Sequence, residues 1–180
     1  MYNSWVDSDV VIANPNIRLE TFLPNENMSR VNFIVSDDHN GLSSGLFFLK
    51  VHSWSLNYLM RAISYPYHNI NHLNNNYDQS ALNNVLLESN DESEHYIVVP
   101  QKFFNSYPEG EQTIGSFVVH FAGFSNRDIE ASNLRYFVQQ DKSWQSKTNM
   151  EVRQEVLEYY NLPKSQQHQL KVENKPQSMM

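Results

Sequence analysis

Trp5-Val6-Asp7-Ser8-Asp9-Val10-Val11-Ile12 is a short apolar run carrying two carboxylates with one small residue between them. Read as a strand, it points both carboxylates to the same side, because strand side chains repeat every two residues. Carboxylates held that close repel unless a cation lies between them or one keeps its proton. Their oxygens suit magnesium or manganese, which take one or two carboxylates together with substrate phosphates. Two solvated acids at a strand end give the same pattern, so the run gains meaning only from the rest of the chain.

That chain has 180 residues, enough for one domain with its own core. A hydrophobic content of 40 % with 13 % aromatics is globular rather than disordered. A net charge of −7 and the lack of any Lys/Arg block argue against nucleic acid as a partner. With no cysteine, disulfide frameworks and thiolate metal sites are excluded. No apolar run approaches a membrane span and no signal-peptide pattern opens the chain, so it reads as soluble, without a targeting signal.

Outward from the first run, Asn14-Pro15-Asn16 makes a turn and Ile17–Leu23 one or two helical turns. Val31–Val35 reads as a strand, residues 36–41 as a loop and Gly45–Val51 as a buried strand. Ser53 is placed as the N-cap of a helix to about Ile63 with Trp54, Leu56, Leu59, Met60 and Ile63 on its apolar face. A polar loop over residues 65–77 follows. Asp78 caps a helix, Gln79 to Glu88, with Leu82, Val85 and Leu86 inward. Further strands lie at Tyr96–Pro100 and Ser116–Phe121, and helices at Asp128–Gln140 and Glu151–Tyr160. Alternating strands and helices predict an α/β layer architecture. The division is 1–140 as the main part of the domain, 141–163 as a helical region, and 164–180 as a polar, disordered tail.

Four clusters could carry chemistry. Asp7-Ser8-Asp9 is the first. The second is the loop Asp38-His39-Asn40-Gly41-Leu42-Ser43-Ser44-Gly45, whose glycines let backbone approach a ligand and whose Asn and Ser can bond sugar hydroxyls. The third is Asp78-Gln79 at a helix start, which also reads as a plain cap. The fourth is His120 near the end of an apolar strand, where a lone histidine is more often a hydrogen-bonded structural residue than a ligand. His68 and His72 have i, i+4 spacing, but no glutamate follows the first as the zinc-protease pattern requires. No P-loop, dinucleotide glycine pattern or nucleophile elbow occurs.

In this order, residues 5–20 (WVDSDVVIANPNIRLE), 37–54 (DDHNGLSSGLFFLKVHSW), 78–86 (DQSALNNVL), 98–110 (VVPQKFFNSYPEG) and 117–124 (FVVHFAGF) resemble the galactosyl/mannosyltransferase family, glycosyltransferase family 34. The resemblance runs from about Trp5 to about Asn133. It implies the C-terminal part of a GT-A-like α/β fold, lacking the nucleotide-binding βαβ portion, membrane anchor and stem that precede the Asp-x-Asp in family members. It further implies a retaining hexosyltransferase moving sugar from UDP-galactose or GDP-mannose to a glycan or glycoprotein acceptor, on the lumenal side of the Golgi membrane, in a possible complex with related transferases. By the family pattern Asp7, Asp9 and His120 would hold Mn2+ or another divalent cation. Asp7, Ser8, Asp9, Asn40, Gly41, Gly45 and Gly123 would line the donor, and Asp78 and Gln79 would be the catalytic pair that positions the reactants. Ser43 stands where the family has asparagine, Phe124 where it has cysteine, and Arg127 is the candidate substitute for a lysine at the diphosphate. The alternatives are a truncated, non-catalytic fragment or pseudoenzyme of the same family and, from another class, a metal-dependent phosphoesterase.

Overall fold

The computed structural model describes residues 1–69, 73, 77–89, 93–108 and 114–172. The Asn74–Asn76 run and His72 fall outside the described residues. A four-stranded sheet holds the fold together, in the order β1 (Tyr2–Val6), β4 (Gly41–Lys50), β3 (Phe33–Asp38), β5 (Tyr96–Val99). β4 runs antiparallel to both β1 and β3, and β5 parallel to β3. A second, two-stranded sheet pairs β2 (Val10–Ile12) with β6 (Val118–His120).

Alternation along the strands splits the core into two. Phe33, Val35 and Val98 face the helices α1 (Ser53–Asn69) and α2 (Tyr77–Leu87), meeting Tyr58, Ala62, Leu82 and Val85. Ile34, Phe48, Ile97 and Val99 face the other way, onto α4 (Asn149–Tyr160) and an aromatic group centred on Phe22. The Phe22 ring lies 5.4 Å from Phe104 and 5.1 Å from Phe117. A smaller third core joins Val11, Val119 and Phe121 to Ala131 and Val138 of α3 (Arg127–Gln140). The expected mixed α/β layering is what the chain forms. Among the described residues no helix is long and apolar enough to cross a membrane.

Several local expectations change. Residues 5–12 are not one strand: the chain leaves the larger sheet after Val6, turns through Asp7-Ser8-Asp9, and enters the smaller sheet at Val10. The expected loop at 36–41 shrinks to His39-Asn40, because β3 and β4 pair as far as Asp38 and Gly41. Gly41 sits there at φ 122°, a backbone region that favours glycine. α1 buries Ser55, Tyr58, Ala62 and Tyr65, leaving Leu56, Met60 and Ile63 63, 62 and 73 % exposed. Its first turn is capped by His52, whose Nδ1 accepts from Trp54 N at 3.1 Å, rather than by Ser53. It also runs through Pro66 to Asn69, beyond the expected end.

The expectation of a disordered tail fails for residues 164–172. His168 bridges Val98 at the edge of β5 in the antiparallel sense. The Tyr159 hydroxyl donates to Val98 O at 2.7 Å and accepts from His168 N at 2.6 Å. Gln167 is buried, and its amide donates to Tyr160 O and Leu162 O. Tyr159→Phe strips two backbone groups of their partner, at about 1–3 kcal/mol per buried group left unsatisfied. The expected result is a lower chemical-denaturation midpoint together with early amide exchange at residues 167–171.

Candidate active site

The turn at Asp7–Asp9 is pinned to both sheets. Asp7 N donates to Gly45 O at 2.8 Å, and Phe121 N donates to Asp9 O at 3.1 Å. Through β2–β6 pairing, Val10 lies opposite His120. The strand-to-turn change thus brings together two segments far apart in sequence. Ligand atoms of Asp7, Asp9 and His120 all lie within 4.8 Å of one another. Asp9 and His120 are buried, and Asp7 is half-buried with its Oδ1 accepting from Trp5 Nε1 at 2.8 Å.

His120 is held in one orientation. Its Nδ1 faces Asn105 Oδ1 at 2.8 Å, and the Asn105 amide nitrogen donates to Ser43 Oγ at 2.7 Å. That oxygen can only accept, so Nδ1 donates to it and Nε2 is the nitrogen left to face the carboxylates. Nε2 points to Asp9 Oδ1, 3.3 Å away. Burial lowers the imidazole's pKa, against the opposing pull of Asp9 and Asp7. The ring packs directly over Gly45: a Cβ built there would fall 2.0 Å from Cε1 and 2.5 Å from Nδ1. Glycine at 45 is therefore a steric requirement of His120.

These groups open onto a cleft of about 420 Å³ whose walls include Asp7, Asp9, Asn40, Gly45, Asp78, Gln79, His120, Gly123 and Arg127. Of the residues singled out in the sequence, Ser8 and Gly41 do not line it; Ser8 is exposed in the turn, and Gly41 shapes the hairpin. Gly123 has φ 75° and open space where a Cβ would go, so the turn after β6 needs it for backbone conformation, not clearance. The guanidinium of Arg127 reaches Asp9 Oδ2 at 3.6 Å.

Asp78 lies exposed in the first turn of α2, one residue inside the helix start. Gln79 is buried and does structural work: its Oε1 accepts from Ser44 N at 3.2 Å. Asn83, one turn on, accepts from Leu42 N at 3.2 Å. Both amides satisfy the stretch of β4 that extends past the last β1 pairing, Val6 with Leu46. On the opposite wall Tyr107 donates to Asp38 Oδ2 at 2.7 Å and sets its ring edge-on to His120 at 5.7 Å. Burial, then the Asp38 charge, push that phenol's pKa well up, so it stays a donor.

Sequence reading missed Asn83, Asn105 and Tyr107. Asn105 and Tyr107 lie within the quoted residues 98–110, but only a tertiary partner reveals their work. An apolar groove lined by Trp5, Phe47, Leu59, Ile63 and Pro66 adjoins the cleft and shares Ser44 and Asp78 with it.

No curated protein and no solved structure matches the chain. Residues 23–129 do match a family model, and this span includes every cleft residue above except Asp7 and Asp9. That match covers more than half of the sequence, and the chain belongs to the galactosyl transferase GMA12/MNN10 family of glycosyltransferases.

Proposed function

We propose that this chain carries a retaining hexosyltransferase site, which takes a hexose from UDP-galactose or GDP-mannose and gives it to a glycan acceptor. The observation that carries the reading is the convergence of Asp7, Asp9 and a firmly oriented His120 at the cleft. Two carboxylate oxygens and one imidazole nitrogen are a donor set that manganese accepts. A cation held there supplies charge neutralisation for the departing nucleotide diphosphate.

The chain's own groups do the rest. Arg127 offers a second positive group beside Asp9 for the diphosphate. Asn40 and the Gly45 backbone border the space for the donor sugar, and Asp78 orients the reactants from the cleft rim. Gln79 positions: it holds the Ser44 backbone beneath the sugar. Tyr107 and Asp38 form the far wall. By the same reading the site works on the lumenal side of the Golgi membrane.

Incubation with UDP-galactose or GDP-mannose plus Mn2+ and a mannan acceptor tests this. Release of nucleotide diphosphate coupled to sugar on the acceptor supports transfer, whereas nucleotide hydrolysis with no sugar transferred favours the phosphoesterase. Asn105→Leu should weaken Mn2+ by about 10–100-fold, the usual effect of losing the group that orients a ligating histidine. Free Mn2+ counted by electron paramagnetic resonance reads this without any turnover.

A further inference from the structure

Beside the cleft lies a second chamber of about 590 Å³, and its outer wall is the docked C-terminal segment. Its volume falls within the 300–1,000 Å³ or so typical of small-molecule sites. The two spaces share Asp38, His39 and Tyr107, so they adjoin along one wall. The segment is built in rather than draped. Asp37 is 6 % exposed, and it is held by His168 Nδ1 at 2.7 Å and by Lys171 Nζ at 3.4 Å. Lys171 O accepts from Asn83 Nδ2 at 3.0 Å, the same amide that supports β4 under the cleft.

The chemistry of the lining narrows the occupant. An anion entering would meet two buried carboxylates, Asp37 and Asp38, and a cation would meet Lys102 and Lys171. A neutral molecule dense in hydroxyls fits both, since each hydroxyl donates to a carboxylate and accepts from an ammonium or imidazole. We propose that this chamber is the acceptor subsite, that it takes a neutral oligosaccharide, and that His168 and Lys171 of the C-terminal segment are specificity-determining contacts. The proposal rests on the transferase reading, and it adds a role for a segment that lies beyond the family match.

The test is a titration of the 15N-labelled chain with maltotriose and mannotriose in EDTA, without nucleotide, with inorganic phosphate as a charged control. The expected result is saturable shifts of the Asp37, Asp38, His168 and Lys171 amides with at least one trisaccharide. Lys171→Met, checked for an unchanged unfolding midpoint, should bind that sugar about tenfold more weakly, the scale of one hydrogen bond to a charged group. Shifts with phosphate alone, no sugar response, or equal affinity in a folded Lys171→Met would each overturn the subsite. Mn2+-dependent affinity for UDP or GDP, measured on the same sample, reports the transferase reading separately. Its survival without sugar shifts removes only the subsite, and sugar shifts without it remove only the transfer chemistry.

Discussion

Gly45→Ala is expected to cost the chain its Mn2+ affinity and part of its stability at once. The added methyl would sit 2.0 Å from His120 Cε1, far inside contact distance. The ring cannot slide aside, because Nδ1 is bonded to Asn105 and Tyr107 packs edge-on against it. It must leave its seat. Overpacking a site this tight costs about 1–3 kcal/mol, and the lost hydrogen bond adds about 1 kcal/mol. Losing the ligand itself should weaken Mn2+ by more than the roughly 10–100-fold that follows from disturbing a supporting group. The double variant Gly45→Ala/His120→Ala relieves the clash. It should unfold at a higher denaturant concentration than Gly45→Ala alone while still failing to bind Mn2+. If the single variant binds the metal like the parent chain, His120 is not seated over Gly45 as described.

Asp9→Ala separates binding from folding in the other direction. The Asp9 carboxylate is the centre of the cluster, 3.3 Å from His120 Nε2 and 3.6 Å from the Arg127 guanidinium. Removing it deletes a metal ligand, so Mn2+ signal loss in the paramagnetic resonance titration should vanish. The cost to folding is small. Arg127 keeps 58 % of its side chain in solvent, where an ion pair contributes about 1 kcal/mol or less. The imidazole keeps its bond to Asn105, and the repulsion between Asp7 and Asp9 is relieved. The unfolding midpoint should move by only a few degrees. A large drop in stability with metal affinity retained would reverse the roles assigned to this residue.

Much of the layer architecture was readable because it rests on local pattern. The continuous apolar run of β4, the Leu82/Val85/Leu86 face of α2 and the strand at Tyr96–Val99 were all recovered. α4 begins at a capping box formed by Thr148 and Glu151, a few residues wide of the expected start. The failures have tertiary causes. On α1 the greasier stripe, Leu56, Met60 and Ile63, faces outward, while Tyr58 is buried because its hydroxyl finds Leu82 O at 3.0 Å. No periodicity contains that partner. At Asp7–Asp9 the change of sheet comes from pairings with β4 and β6, both far along the chain. The polar composition of residues 164–172 hid a strap whose anchors are Tyr159, Asp37 and Asn83.

The candidate site divides the same way. Most residues with chemically expressive side chains were legible, and the structure brings Asp7, Asp9, Asp78, Gln79 and His120 to one cleft. Their supports were not. Asn105 and Asn83 look like ordinary asparagines in an Asn-rich chain, and each becomes informative only when buried against a specific partner. In sequence Gly45 reads as a glycine that lets a ligand approach, yet the atom that approaches it belongs to His120.

The most direct test is calorimetric titration of this chain with UDP and with GDP, in Mn2+ and again in EDTA. The expected result is affinity for one of the two nucleotides that requires Mn2+ and is lost in Asp9→Ala. Affinity that is equal in EDTA, or absent from a folded chain in Mn2+, would contradict it.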